Sequence, residues 1–457
     1  MFKKKPKEDP RQSAPTRCCG GDKSVVVRRT LPVRHEVDVF VAGGGPAGCA
    51  AAVAAARQGQ RVFLAEGHSC LGGMGTAGMV PAFMQFSDGV NFLADGIGRE
   101  ILENLRAIGG AGPDNAYGIH AESLKRVYDD LLENAKVEFS LHSTVIDVET
   151  HGDQVTAAIL AGKSGLFAVK AGVYVDGTGD GDICAWAGAP FEKGDEEGTM
   201  MPGTLCSLWA SVDWQTVRGS GADRRELKQA IDDGIFTIPD VHLPGMWRVG
   251  ETLGGGNIGH TFGVDSTDER SLTKALVWGR KLVLEFERYY KQYLKGYEKM
   301  ELVGTGSLLG IRESRRIIGD HILCLEDFQK RAVFEDEIGR YCYPIDIHPS
   351  KPGSNEAYKE FEKLFRDMRY AKGESYGIPY RVLTPKGLSN VLVAGRCVST
   401  DRYLQGSIRV MPGCYITGQA AGVAAAIAVE RKCDTRGVAV GELQQRLKEM
   451  GAYLPNA

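Results

Sequence analysis

Val37–Ala42 (VDVFVA) is a short, mostly apolar run of the kind that forms a strand buried on both faces of a parallel sheet. An alanine-rich stretch of helical length follows to about Arg57, and Arg61–Ala65 predicts a second strand. Lys125–Ala135 reads as a helix, followed by short β-type runs at Val137–Leu141, Thr144–Glu149, Val155–Ala161 and Gly165–Ala171, then Val173–Asp176. Asn390–Ala394 is a further apolar strand. Two uncharged stretches, Val39–Ala56 and Val410–Val429, approach the length of a membrane span. Both are rich in Ala and Gly rather than Leu and Ile, and the second holds Pro412 and Gln419. A spanning helix needs sustained hydrophobicity, so burial inside the protein is expected instead, with no membrane association.

Between the first predicted strand and helix lies Gly43-x-Gly45-x-x-Gly48, and the second strand ends at Glu66. Gly43 permits a tight turn, Gly45 lets backbone N–H groups approach a pyrophosphate, and Gly48 lets the helix pack on the strand. The helix N-terminus favours phosphate, and an acid at Glu66 is placed to accept hydrogen bonds from a ribose diol. Gly254-x-Gly256-x-x-Gly259 has the same spacing, but neither an apolar strand before it nor an apolar-periodic helix after it. It is expected to be a glycine loop of another kind.

Composition narrows the class. A chain of 457 residues exceeds one ordinary core and predicts two domains. A formal net charge of −3 gives no basic field for a nucleic acid. The 11 cysteines are scattered, with only Cys18 and Cys19 adjacent and no C-x-x-C pair. That spacing gives no support to a zinc or iron–sulfur site, and no metal is expected. Isolated thiols fit a reducing compartment, hence the cytoplasm. Residues 1–32 begin with a basic, Pro- and Gly-containing stretch without the apolar segment of a signal peptide, and read as a leader.

Beyond Glu66, the stretch GHSCLGGMGTAGMVP carries Leu71-Gly72-Gly73, and here the chain resembles flavoproteins of the glutathione-reductase and fumarate-reductase type. GIRESRRIIGDHIL (310–323), YGIPYRVLTPKGLSNVLVAGRCVS (376–399) and GSIRVMPGCYITGQAAGVAAAIA (406–428) resemble the FAD-dependent oxidoreductase family, over roughly residues 36–430. The resemblance implies an α/β fold with a Rossmann-like FAD-binding domain, its central parallel sheet interrupted by an antiparallel β crossover, plus an inserted α+β substrate or cap domain. The FAD-binding domain would span 33–190 and 380–457, the insert 191–379. In that plan the crossover takes the four β-type runs from Val137 to Ala171, and Val173–Asp176 is the next parallel strand.

By the same resemblance FAD is held by Gly43, Gly45, Pro46, Ala47 and Gly48 of the first turn, by Glu66 and Gly67, and by Gly72, Gly73, Met74 and Thr76. Val145, Thr178, Gly179, Asp182 and Gly395 add to this set. Arg409, Val410 and Met411 are expected beside the flavin pyrimidine edge, where a helix N-terminus would stabilise negative charge. Arg396 stands where the family pattern usually has an acid for the ribityl chain, so only the strand end is carried over. No cysteine pair occupies Met74–Pro81 and no second strand–glycine–helix unit serves NAD(P)H, which implies electron exchange with the substrate, oxygen or a transient carrier.

Hydride chemistry at a flavin needs a held substrate and a moved proton. His260 in GGGNIGHTFGVDST and His348 at the end of YCYPIDIH are candidates in the insert, the plain alternative being packed histidines. Within Arg312-Glu313-Ser314-Arg315-Arg316, Arg312 is the candidate clamp for a carboxylate or hydroxylated substrate, against a salt-bridge cluster. Tyr376, with Tyr380 and Arg381, precedes the return to the FAD domain, where either a ligand or hinge packing is expected. Cys70 could carry a covalent flavin or be a packed thiol.

The expected function is hydride transfer between flavin and a small polar substrate: a hydroxy acid, sugar, amine or activated alkene. Competing readings are a tRNA-modifying flavoprotein, from the likeness of GGGPAGCAAAVAAARQG, and a redox-inactive FAD-bearing scaffold. A homo-oligomer is compatible with the plan, though no heptads or repeats commit the chain to one.

Overall fold

The computed structural model describes residue 25 and residues 27–112, 118–217, 224–243, 245–353, 363, 365–366 and 368–457. Most of the leader expected over 1–32, with Cys18 and Cys19, lies outside the described residues.

The apolar runs assemble one sheet. Strands β1 (Val33–Ala42), β2 (Val62–Ala65), β3 (Glu138–Ser140), β4 (Thr144–His151), β5 (Gln154–Gly162) and β6 (Gly165–Asp176) lie in the order β3-β2-β1-β6-β5-β4. Val41 pairs in parallel with Leu64 on one side and Val175 on the other. A late strand, Val391–Val393, also pairs in parallel with the C-terminal end of β6, Val393 opposite Asp176. The carboxyl ends of all these parallel strands therefore meet at one edge, where a doubly wound sheet binds its ligand.

Two expectations for the crossover are corrected. Val137–Leu141 does not belong to it: β3 extends the parallel sheet beside β2, with Leu64 opposite Phe139. Gly165–Ala171 and Val173–Asp176 are one strand, because Gly172 alone does not break the ladder to β1, which continues through Ala171–Val37 and Val173–Val39. The antiparallel crossover is thus β4, β5 and the first half of β6.

Helix α1 (Pro46–Arg57) leaves the β1 turn, and α2 (Ile97–Ala107) and α3 (Ala121–Asn134) pack beyond it. The second uncharged run becomes a C-terminal helix, Met411–Arg431, pressed on α1. A Cβ at Gly418 would stand 2.2 Å from Ala47 O, and one at Gly422 2.2 Å from Ala51 O. Only glycine allows two helices to come this close, which explains why both runs are poor in Leu and Ile. This is the one helix among the described residues long and apolar enough to cross a membrane, and 94% of its most apolar window is buried inside the protein.

Residues 191–379, expected as an insert, divide between two packing units. A second core gathers Trp209, Met246, Ile258, Leu282, Phe286 and Met300. It joins a sheet of four antiparallel strands, Ser207–Ala210, Gly245–Arg248, Gly254–Asn257 and Glu301–Thr305, to the helix Glu269–Tyr293. Ile317, Leu323, Ile338, Tyr341 and Tyr376 instead bury themselves in the main core. The expected glycine loop at Gly254–Gly259 is corrected: Gly254–Asn257 is a strand in the middle of that sheet. Its glycines admit neighbours rather than a turn, since a Cβ at Gly255 would meet Pro81 Cβ at 2.4 Å and one at Gly256 would meet Ser207 Oγ at 2.7 Å.

Candidate active site

At the carboxyl edge of the sheet the chain turns sharply. Gly43 takes φ +88 and donates its N–H to Ala65 O (2.8 Å), and Gly45 caps α1. A Cβ on Gly43 would lie 2.6 Å from Gly177 O, and one on Gly48 1.8 Å from Gly43 O. Gly45 alone of the three faces no neighbour within 4 Å of an added Cβ, because it opens on a cavity.

That cavity, of about 620 Å³, runs from the α1 N-terminus past the crossover to the insert. Gly43, Gly45, Pro46, Ala47, Glu66, Gly67, Gly73, Met74 and Val145 line it, as do Thr178, Gly179, Asp182, Gly395, Arg409, Val410 and Met411. The expected residues Gly48, Gly72 and Thr76 stand one layer back. Gly72, at φ +96, donates its N–H to Gly44 O (2.7 Å), and Thr76 Oγ1 donates to Leu71 O (2.5 Å), so they hold the shape of the turns.

Glu66 ties β2 to the glycine turn. Its Oε2 accepts from the Gly44 N–H (2.7 Å), and its Oε1 from the His68 N–H (2.8 Å) and His68 Nδ1 (2.7 Å). Burial favours the neutral acid, but these His68 and Gly44 contacts outweigh it and hold the carboxyl below its ordinary range. Oε2 keeps a lone pair for a ribose hydroxyl. Glu66→Ala is expected to weaken FAD binding about tenfold, the loss of one or two hydrogen bonds to a charged acceptor, measured by flavin titration of apoprotein. A lowered folded pKa contributes stability that is present above the unfolded carboxyl pKa and lost as pH falls through the folded one. Its contribution therefore disappears in acid, and the part that rests on a charged His68 also fades as pH rises through the raised His68 pKa.

Asp182 lies deeper along the same edge. Burial, then Asp180 and Asp176, push its carboxyl up to about 6, against the pull of Arg315 at 2.7 Å. Arg396, the residue that replaced an expected acid, is a staple. Its Nε donates to Gly179 O (2.8 Å), Nη1 to Ile311 O (2.6 Å) and Nη2 to Asp180 Oδ1 (2.6 Å), joining the strand-end loops to the segment that leads into Arg312.

Of the charge cluster at 312–316, only Arg312 faces the cavity. Glu313 is fully buried between Arg316 (2.6 Å) and Arg402 (3.2 Å), and Arg315 pairs with Asp182. Arg312 is 6% exposed. Its Nη1 donates to Pro202 O (2.8 Å) and Thr204 Oγ1 (2.9 Å), and Nη2 to Asn257 Oδ1 (3.3 Å). Among the described residues no carboxylate pairs with it. Burial, then Arg409, lower its pKa to about 10, so it keeps its charge at neutral pH.

The two predicted histidines converge beside it. His348 lines the cavity, with its Nδ1 3.0 Å from His260 Nε2 and its Nε2 3.3 Å from Asp346 Oδ1. His260, 2% exposed, stands behind it with Nδ1 2.7 Å from Asp240 Oδ2. His242 completes the group, stacked on His260 (ring centroids 5.0 Å apart) and edge-on to His348 (4.5 Å). Burial, then His260 and Arg312, lower His242 to about 3; burial likewise lowers His260, and burial with Arg312 lowers His348 well below the usual imidazole range. Burial acts against the charge of Asp346, but His348, Arg409 (2.9 Å) and Arg312 outweigh it and keep the carboxyl ionised.

Tyr376 does not reach the cavity. It is fully buried, its hydroxyl 2.9 Å from Ser407 Oγ and its ring beside Phe328. Tyr380 donates to Thr435 O (2.6 Å) and Arg381 pairs with Asp336 (2.9 Å), so this junction is packing. Cys70 is buried and free, outside the cavity wall. Sequence reasoning missed His242, Asp240 and Asp346. Their signal was a repeated D-x-H, Asp240-x-His242 and Asp346-x-His348.

The turn, the acid at Glu66 and the open backbone at Gly45 fit a dinucleotide, and the cavity extends from them to a chemically equipped end. The chain belongs to the FAD dependent oxidoreductase family, whose sequence model matches residues 38–447. FAD is its cofactor. No curated protein matches the sequence. Among solved structures, a geranylgeranyl bacteriochlorophyll reductase-like protein from Thermoplasma acidophilum is 13% identical with a TM-score of 0.44, over 91% of this chain and 83% of that one. The myxobacterial chondrochloren halogenase CndH is 13% identical with a TM-score of 0.42, over 91% and 78%. The flavin-dependent brominase Bmp2 is 12% identical with a TM-score of 0.42, over 91% and 83%.

Proposed function

We propose that the enzyme acts on a small polar metabolite carrying a carboxylate or comparable oxyanion, with a hydride passing between one of its carbons and the flavin. The observation that carries this reading is Arg312, a buried guanidinium on the cavity wall without a carboxylate partner among the described residues. A buried cation is costly unless it is paired, and a planar fork held at Nη1 and Nη2 matches a carboxylate. Pro202 O, Thr204 and Asn257 fix the guanidinium, so the substrate meets a preset donor. The exchangeable proton of the reacting group is handled at the His242–His260–His348 cluster, which opens on the cavity through His242 and His348. Gly45 and the α1 N-terminus would hold the pyrophosphate, Glu66 the ribose, and the Arg409–Met411 turn the flavin end.

The test is anaerobic titration of the yellow enzyme with pools of hydroxy acids, amino acids, neutral sugars and neutral amines, followed by reoxidation of dithionite-reduced enzyme with unsaturated acids. Electron exchange confined to a carboxylate-bearing pool is expected, and its direction separates dehydrogenation from alkene reduction. Exchange with neutral compounds only, or with none, overturns the reading.

A further inference from the structure

The histidine cluster contains an electrostatic mismatch. A neutral imidazole carries a single N–H. His260 Nδ1 stands 2.7 Å from Asp240 and His348 Nε2 stands 3.3 Å from Asp346, so each ring turns one nitrogen to a carboxylate. His260 Nδ1 and Asp240 Oδ2 are both buried, and among the described residues neither has a hydrogen-bond partner of good geometry. If each ring gives its N–H to its carboxylate, His260 Nε2 and His348 Nδ1 face each other at 3.0 Å with lone pair against lone pair. A cation at that junction turns the repulsion into two donor bonds. A proton bridges only two nitrogens, whereas here a third imidazole converges: ring nitrogens of His242, His260 and His348 all lie within 4.8 Å of one another.

We propose that His242, His260 and His348 bind a divalent transition-metal ion at the substrate end of the cavity, with a coordination position open to an oxygen of substrate or water. Metal–imidazole bonds of 2.0–2.1 Å put tetrahedral ligand nitrogens roughly 3.3 Å apart, so one pair is already in place and the third needs a modest ring shift. Carboxylates behind His260 and His348 are the partners that fix ring orientation and raise ligand basicity in metal sites. Asp240 and Asp346 also offset the positive charge that Arg312 contributes nearby. Three imidazoles suit Zn²⁺, Fe²⁺, Ni²⁺ or Cu²⁺ better than Mg²⁺ or Ca²⁺. The donors come from three separate loops, so beyond the two D-x-H repeats nothing in the sequence joins them.

The ion's role deepens the proposed function and rests on it: an oxygen bound to the open position loses its proton more readily, which is how the cluster would handle the substrate proton. The site's existence does not depend on that reaction.

The test uses the flavin-loaded enzyme purified without chelator, with metal content read by mass spectrometry. Wild type and His151→Asn, which removes an exposed histidine on β4, are expected to carry about one equivalent per chain. His260→Ala is expected to lose it at least about tenfold while keeping its FAD absorbance. Should that variant fail to fold, Co²⁺ titration of chelator-stripped wild type decides. Visible d–d bands to the red of the flavin band, saturating at about one equivalent, are expected. A wild type that takes up no Zn²⁺ or Co²⁺ above background, or a folded His260→Ala that keeps its metal, overturns the site. Equal rates of flavin bleaching with and without the ion overturn its role and leave the hydride reading standing. Stoichiometric metal with no substrate pool exchanging electrons upholds the site and overturns that reading instead.

Discussion

Arg312→Ala is expected to slow substrate-dependent bleaching of the flavin by about 10²–10³-fold while the purified protein stays yellow. The side chain is far from the glycine turn and Glu66 in sequence, and no residue of the α1 turn is among its partners, which are Pro202, Thr204 and Asn257. FAD should therefore be retained. The lost interaction is a charge-assisted contact in a buried place, where a donor is worth more than at the surface. Among the described residues this cation has no acid partner, so its removal orphans no carboxylate and the fold should tolerate the change, with a cavity and the freed Pro202, Thr204 and Asn257 acceptors as its defects. Arg312→Lys separates charge from shape. An ammonium keeps the charge but cannot hold Thr204 and Asn257 while presenting a fork to a carboxylate, so partial recovery, with KM raised more than kcat lowered, is expected. Wild-type rates in Arg312→Ala would reduce Arg312 to a tie between Pro202, Thr204 and Asn257.

How far the sequence carries depends on whether the information is local. Gly43, Gly45 and Gly48 with β1, α1, β2 and Glu66 form one contiguous unit, and each has a steric or electrostatic reason that needs no distant neighbour. That is why nearly every residue expected to hold the cofactor lines the cavity. A short β-type run such as β3 does not declare its partner; its parallel pairing with β2 is fixed only after α3 carries the chain across. At Gly254–Gly259 glycine in isolation signals a turn, whereas here close approach by Pro81 and Ser207 requires it at Gly255 and Gly256. Arg396 shows the same limit. Its three donors reach Gly179, Asp180 and Ile311, remote in sequence, so its role as a staple was hidden behind its departure from a family pattern. His260 and His348 were legible singly. Their meeting with His242, Asp240 and Asp346 was not, since it is made by loops from two sides of the cavity. Tyr376 lies outside the cavity, because proximity in sequence to a domain boundary says nothing about which face of a strand a residue occupies.

Gly48→Ala should remove both FAD and part of the protein's stability, whereas Gly45→Ala should remove FAD alone. The contrast follows from what each new methyl group meets. At Gly48 the Cβ would stand 1.8 Å from Gly43 O and 3.0 Å from Gly43 C. Gly43 has no room to retreat: it holds φ +88, its N–H is committed to Ala65 O, and its own Cβ position lies 2.6 Å from Gly177 O. α1 must then lift off the sheet, and α1 is also the helix on which Gly418 and Gly422 let Met411–Arg431 pack. Overpacking of this kind costs roughly 1–3 kcal/mol and moves the amides that would face the pyrophosphate. At Gly45 an added Cβ meets no protein atom within 4 Å, and the helix N-cap needs no glycine-only dihedral there (φ −70). The methyl group instead enters the cavity where the dinucleotide would pass. Thermal melts of the two apoproteins and flavin absorbance after reconstitution check the pair. The expected pattern is a lowered melting temperature for Gly48→Ala, an apoprotein melt like wild type for Gly45→Ala, and at least about tenfold weaker FAD binding in both. Full FAD retention in Gly45→Ala would mean that the cofactor does not follow the α1 N-terminus, and the assignment of that end of the cavity would fall with it.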